Sequence, residues 1–270
     1  MPPKSKPKAT NNPKSKSSSE PTKSHRQEPA TPNWPPLKPL IPSSDLALET
    51  VLSDQIYVVR NLFTSTLCKN YVSFLSTLPL VTTPGRPKRG DAVRVNDRFQ
   101  VDDLMFAERL WKETALSQVV LGQSADADSA EGKDLWGGEV LGLNPNIRVY
   151  RYSKGQFFGQ HYDDSVSLHL PSLADRSLPG KTTWTLLIYL TTCTGGETVF
   201  YPEPVLSSKK NGSKSKPLKD NNVDMDPIAV ELEVGMALLH RHGDKCLLHE
   251  GREVKQGEKW VIRSDLVVRR

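Results

Sequence analysis

The spacing of hydrophobic residues changes character about halfway along this chain. In ETVLSDQIYVVRNLFTSTLCKNYVSFLSTLPL, near residues 45–80, apolar residues first cluster around Ile56–Arg60 and then recur at Leu67, Tyr71, Phe74 and Leu75. Residues three and four apart share one face of a helix, and a Thr or Ser just before them can accept a free backbone N–H of the first turn. The pattern predicts a short strand, then a helix capped by Thr64 or Ser65 and closed before Pro79. A second amphipathic helix is predicted over 101–116, carrying Phe106, Leu110 and Trp111. Before it, 82–99 reads as a basic loop ending in a possible strand.

From 146 onward the period shortens to two. NIRVYRY, FFGQHYDD, WTLLIYLTT, GETVFYP, IAVELEV, MALLH, CLLHEG and KWVIRSDLVV follow one another, separated by Gly, Pro and polar turns. Short strands in series after a helical lead predict an α+β, mainly β fold: a closed antiparallel sandwich supported by N-terminal helices. No internal repeat is visible.

Composition divides the chain further. Hydrophobic residues make up 36% of it, a low share for a globular protein. Residues 1–36 are rich in Lys, Pro and Ser and read as a disordered tail, because so few apolar groups cannot offset the entropy of ordering. The run SSKKNGSKSKPLKDNN at 207–222 reads as a flexible insertion between two strands. The resulting division is a tail at 1–36, a helical and strand support region at 37–145, and a β domain at 146–268.

Charge follows the same division. The tail holds seven Lys or Arg against two Glu, equal to the whole chain's net charge of +5, and the insertion adds five Lys against one Asp. The folded body is therefore mildly acidic, and nucleic acid is not an expected partner for it despite the high pI. The tail reads as a solubilising extension, with nuclear targeting or polyanion contact as the alternative. No signal-peptide pattern and no apolar run long enough to span a membrane occurs, so an intracellular location, cytoplasmic or nuclear, is expected. Cys68, Cys193 and Cys246 have no metal-site or disulfide-framework spacing.

His161 and Asp163 stand two apart in a predicted strand, which places both side chains on one face and lets them chelate one ion. A later histidine would complete a two-His, one-carboxylate set, which leaves coordination positions of Fe(II) open. On spacing alone His240, His242 and His249 all qualify.

Three stretches, within about 146–265, resemble in order the motifs of the 2-oxoglutarate and Fe(II)-dependent dioxygenases of the prolyl 4-hydroxylase type. RYSKGQFFGQHYD resembles R-Y-x-x-G-x-x-(aromatic)-x-x-H-x-D; LLIYLTTCTGGETVF resembles Y-L-x-x-x-x-x-GGET-x-F; and HEGREVKQGEKW resembles H-x-G-x-x-V-x-x-G-x-K-W. The resemblance implies a double-stranded β-helix, with His161, Asp163 and His249 as catalytic metal ligands. His240 and His242 are left as strand-end histidines near the mouth. It implies Fe(II), 2-oxoglutarate and O2 as cofactor and co-substrates, ascorbate as reductant, and hydroxylation of a substrate C–H bond, peptidyl proline being the family default.

A 2-oxo acid needs a buried cation for its far carboxylate. Lys259, ten residues beyond His249 as in the family, is the candidate, and Arg263, on the same strand face, is its rival because a guanidinium grips a carboxylate at two points. Tyr152 matches the family tyrosine that assists this carboxylate; Thr185 and Tyr189 are further pocket candidates. Gly195 and Gly196 are assigned to a turn, with Thr198 and Phe200 packing inward. Phe158 stands where the family often has Tyr. Arg94, Asn96, Asp97 and Arg98 form a cluster expected either at the mouth or in a surface turn. Two other readings compete: a catalytically silent metal-binding sandwich acting through its tail, and a non-oxidative cupin-like metal enzyme, which would need neither Lys259 nor Tyr152.

Overall fold

The computed structural model describes residues 31–83, 92–122, 135–170, 177–202 and 226–270. In chain order the strands are β1 Glu49–Leu52, β2 Ile56–Val59, β3 Val81–Thr82, β4 Arg94–Val95, β5 Asp97–Asp102, β6 Val140–Leu143, β7 Asn146–Tyr152, β8 Phe157–His161 and β9 Ser167–Leu170. They continue as β10 Leu178–Tyr189, β11 Cys193–Gly195, β12 Thr198–Tyr201, β13 Ile228–Val230, β14 Ala237–Arg241, β15 Leu248–Gly251, β16 Val254–Gly257 and β17 Lys259–Arg269. The helices are α1 Ser65–Leu75, α2 Leu104–Glu113 and α3 Leu116–Gly122.

Two antiparallel sheets face each other. The larger runs β1-β2-β14-β10-β17-β7-β5-β3, with β6 also on β17 and β9 also on β10; the smaller runs β13-β12-β15-β8-β4. A two-stranded piece, β11-β16, flanks them. This is the expected double-stranded β-helix, and its strands alternate between two separate cores. Trp260 and Ile262 point to the helix-covered face of the large sheet, whereas Val261, between them, packs into the sandwich with Tyr150, Tyr152, Tyr189 and Phe200. A strand buried on both faces reads as an unbroken apolar run, as KWVIRSDLVV nearly does.

The helices form largely where the pattern places them. Thr64 caps α1 by accepting the Leu67 N–H at 3.2 Å. Asp103 does the same for α2 from the Phe106 N–H at 2.9 Å, so that helix begins at 104 rather than 101 and the preceding strand runs to 102. An aspartate whose side chain competes for backbone donors starts a helix better than it continues one.

The tail boundary moves as well. Trp34 and Leu37 are buried, and the Trp34 ring stacks on Phe106 at 3.9 Å while its Nε1–H donates to Asp103 at 2.8 Å. One large aromatic with a partner for its N–H can anchor a segment whose composition is otherwise tail-like. The rest of the expected tail, residues 1–30, and the insertion 207–222 lie outside the described residues.

Candidate metal centre

The pairing of β8 with β15 places His161 directly opposite His249, on one face of the small sheet, with ring centroids 4.2 Å apart. Directly paired residues in an antiparallel ladder project to the same side, so register alone brings the two imidazoles together. Asp163 arrives differently. The strand ends at His161, and Asp163 is held instead by the turn before β15: its N–H donates to Cys246 Sγ at 3.3 Å and its carbonyl accepts the Gly243 N–H at 2.7 Å. The expectation that both residues lie on one strand is thus corrected, while the convergence of their side chains stands.

Within the site, His161 Nε2 lies 3.7 Å from Asp163 Oδ1, and His249 Nε2 lies 3.8 Å from Oδ2. Each imidazole is fixed by its other nitrogen: His161 Nδ1 lies 2.8 Å from the Gly159 carbonyl and His249 Nδ1 lies 2.9 Å from the Leu247 carbonyl. A carbonyl only accepts, so both rings carry their proton on Nδ1 and present a lone pair from Nε2. Burial, with the neighbouring His249, pushes the His161 pKa down to about 3, and burial lowers that of His249. Both are neutral, the form that binds metal. Phe158 stacks on the His161 ring at 3.5 Å and fixes its plane.

Asp163 is ionised. Burial alone would raise its pKa, but the Arg263 guanidinium, with smaller contributions from His240, His249 and His161, holds it well below the usual carboxylate range. Arg263 Nη1 donates to Oδ1 at 3.2 Å, and Nη2 lies 3.0 Å from Oδ2, which also accepts the Thr185 hydroxyl proton at 2.9 Å. Thr185 in turn accepts from His242 Nδ1 at 3.0 Å, and His242 Nε2 lies 2.9 Å from the Thr182 hydroxyl. Two lone pairs facing an ionised carboxylate are mutually repulsive until a cation lies between them. The donor set of two neutral imidazoles and one carboxylate suits Fe(II).

Deeper in the same cavity, Lys259 is 5% exposed and has no carboxylate partner among the described residues. Its ammonium donates to the Gly196 carbonyl at 2.7 Å and lies 3.5 Å from the Thr198 hydroxyl, between the rings of Tyr152 at 5.6 Å and Tyr189 at 5.3 Å. Burial lowers its pKa to about 8. The positive φ of Gly195 and Gly196, 76° and 78°, aims that carbonyl inward, and a side chain at Gly195 would meet the Glu253 carbonyl at 2.3 Å. A buried cation hydrogen-bonded only to neutral groups, with Glu197 acting on it from farther off, fits an anionic ligand. Arg263, its rival in sequence, is spent on Asp163 and Asp265, although its Nε–H is buried without a hydrogen-bond partner among the described residues.

The remaining expected residues divide. Tyr152, 6% exposed, pairs across strands with Lys259, and burial raises its pKa, so its hydroxyl stays a donor. Tyr189 exchanges a hydrogen bond with Thr198 at 2.8 Å and supports the wall. Arg94 approaches the cavity, with its guanidinium 4.8 Å over Phe158 and 5.8 Å over Tyr150. Asp97 does not, since Arg151 and Thr82 occupy its carboxylate on the other face. His240 and His242 do stand at the end of β14, but at 2% and 5% exposure they are interior groups, and their expected place near the mouth is corrected. Period two in MALLH already carried the signal, because His240 shares the face of Leu238, which packs inside the sandwich.

Residues 147–264 match the protein family described as the 2OG-Fe(II) oxygenase superfamily. No curated protein matches the chain. Among solved structures, it is similar to the viral collagen prolyl hydroxylase of Paramecium Bursaria Chlorella virus-1, at 15% identity over 79% of this chain and 96% of that one, with a TM-score of 0.44. A Pseudomonas putida prolyl-4-hydroxylase is 12% identical over 81% and 94%, with a TM-score of 0.46. A Trichoplax adhaerens prolyl hydroxylase, solved with a hypoxia inducible factor peptide fragment, is 16% identical over 79% and 84%, with a TM-score of 0.48.

Proposed function

We propose that this chain, whose residues 147–264 match the 2OG-Fe(II) oxygenase superfamily, hydroxylates a C–H bond of an organic substrate with Fe(II), 2-oxoglutarate and O2. The balanced reaction turns the substrate C–H into C–OH and 2-oxoglutarate into succinate and CO2. A peptide or protein side chain, prolyl first, is the favoured substrate on the motif resemblance.

One observation carries the reading: three metal-type donors and a buried, carboxylate-free lysine face the same cavity. His161, Asp163 and His249 would hold the iron, whose chemistry when bound is the activation of O2. Lys259 would bind the far carboxylate of 2-oxoglutarate, with Tyr152 and Thr198 beside it. Arg263 and Thr185 hold Asp163 in place, so the carboxylate need not reorganise when metal enters. Phe158, Leu187 and Val261 line the same cavity and would shield the reacting carbon from water.

The test is made without oxygen. Protein loaded with Fe(II) and ascorbate is titrated with a panel of 2-oxo acids, following the weak visible charge-transfer band, and then exposed to air to follow succinate. Wild type is expected to show the band and slow uncoupled succinate with 2-oxoglutarate, and His249→Ala to lose both. Folded, iron-loaded wild type with neither band nor succinate would refute the oxygenase reading in favour of a binding module.

A further inference from the structure

Four arginines face the interior of the sandwich near the cavity, and the metal centre uses only Arg263. The register of the large sheet sets Val261, Tyr150 and Arg98 in one row across β17, β7 and β5, and Arg263, Arg148 and Gln100 in the next. Both rows point inward, since Tyr150 and Val261 pack inside the sandwich. Arg94 comes from the other sheet. It pairs with Phe158, and its guanidinium lies over Phe158 and Tyr150, two residues that line the cavity. Arg94 and Arg98, one from each sheet, thus close on Tyr150 together, and Phe158 in turn stacks on the metal-type ligand His161.

The four charges are unequally met. Arg263 reaches Asp163 and Asp265, and Arg148 reaches Asp265 at 3.0 Å. Arg94 and Arg98 meet no carboxylate among the described residues, and Arg98 Nη2 donates to the neutral Gln100 Oε1. Glu250, which also lines the cavity, is engaged by the Tyr201 hydroxyl at 2.6 Å and lies 3.7 Å from Arg252 Nε. Burial lowers the Arg98 pKa, and Arg94 and Arg148 lower it further, so the two half-buried guanidiniums oppose each other. Like charges held together out of water are relieved by an anion between them. In the reading above 2-oxoglutarate does not supply it, because its far carboxylate goes to Lys259, which pairs with Tyr152 in a separate row.

We infer that Arg94 and Arg98 form an anion subsite for the substrate, which therefore carries a carboxylate close to its reacting carbon; this rests on the oxygenase reading above. A guanidinium grips a carboxylate through two parallel N–H donors, and two guanidiniums from different sheets fix its position as well as its charge. The carboxylate can come from an acidic side chain of a peptide or from a terminal main-chain carboxylate. In either case the corresponding amide leaves both guanidiniums unmet, so the subsite discriminates by charge.

The test uses the full chain with Zn(II) in place of iron, saturated with 2-oxoglutarate so that Lys259 is occupied, and titrated in a calorimeter with two pairs of probes. Acetyl-glutamyl-proline amide against acetyl-glutaminyl-proline amide tests a side-chain carboxylate; acetylproline against its amide tests a terminal one. In at least one pair the acid is expected to bind at least about tenfold more tightly than the amide, and that pair identifies the source. The preference should fall below about threefold in Arg94→Gln and in Arg98→Gln and survive in Arg94→Lys, which keeps the charge, with circular dichroism checking each fold. A smaller preference in both wild-type pairs, no binding of any probe, or a preference that persists in either Gln variant would overturn the inference. It falls alone if wild type shows the Fe(II) and 2-oxoglutarate band; absence of that band overturns the oxygenase reading, and the assignment of the anion to a substrate with it.

Discussion

Lys259→Met separates the work of the buried lysine from its cost. In the free protein, the fall of its pKa from 10.5 to about 8 corresponds to about 3 kcal/mol of penalty for holding a buried charge at pH 7. Methionine fills a similar volume and removes that penalty, but it leaves the Gly196 carbonyl without its donor, which gives back roughly 1–2 kcal/mol. The variant should therefore be more stable than wild type by about 1–2 kcal/mol at pH 7 in denaturant unfolding. The sign with pH is definite: the unfolded lysine binds its proton more tightly than the folded one, so wild-type stability rises between pH 8 and 10.5 and the advantage of the variant shrinks. Against this, 2-oxoglutarate should bind at least about 30-fold more weakly, since removing one member of a buried ion pair costs roughly 2–5 kcal/mol. Its affinity for wild type should also decline as pH rises past about 8, where the free amine is neutral. A variant that is less stable than wild type at every pH, or that binds 2-oxoglutarate within threefold of wild type, would refute the reasoning.

Two further outcomes are expected. Arg263→Met strands the Asp163 carboxylate in the interior and should destabilise the metal-free protein by about 3–5 kcal/mol; saturating Co(II), which supplies the missing positive charge, should recover part of this, and an equal loss with and without metal in thermal unfolding would argue against the ion pair. Trp34→Ala removes the stack on Phe106 and the bond to Asp103, and should cost about 3 kcal/mol or more; a chain beginning at residue 31 should keep full stability in the same assay, whereas one beginning at 38 should not.

Much of the site was legible because motif and period coincide. His161 and His249 sit in strands whose alternation fixes their face, and the positions of Lys259, Val261 and Arg263 follow from the same rule. What escaped was set by tertiary partners. Asp163 lies beyond its strand and is placed by a turn 80 residues later in the chain, which no local pattern encodes. Trp34 was hidden by the composition around it. Arg263 and Lys259 look equivalent in sequence, and only the presence of Asp163 and Asp265 beside one of them tells their tasks apart. Lys259 also owes its setting to the Gly196 carbonyl, whose direction depends on two left-handed glycines. Helix α3 and strand β9 were missed because SQVVLG and SLHL are too short to show a period.

For the oxygenase proposed above, the division of β17 between two cores bears on how such a chain could lose its chemistry. Trp260, Ile262, Leu266 and Val268 hold the helices to the sheet, so the outward half of the strand is indispensable to folding. The inward half, at 259 and 263, is where charge is buried at a cost. Drift away from catalysis would therefore erase alternate letters of one strand while the intervening ones persisted. A silent descendant of this protein would be recognisable by reading every second residue from 259, with its fold and most of its sequence unchanged.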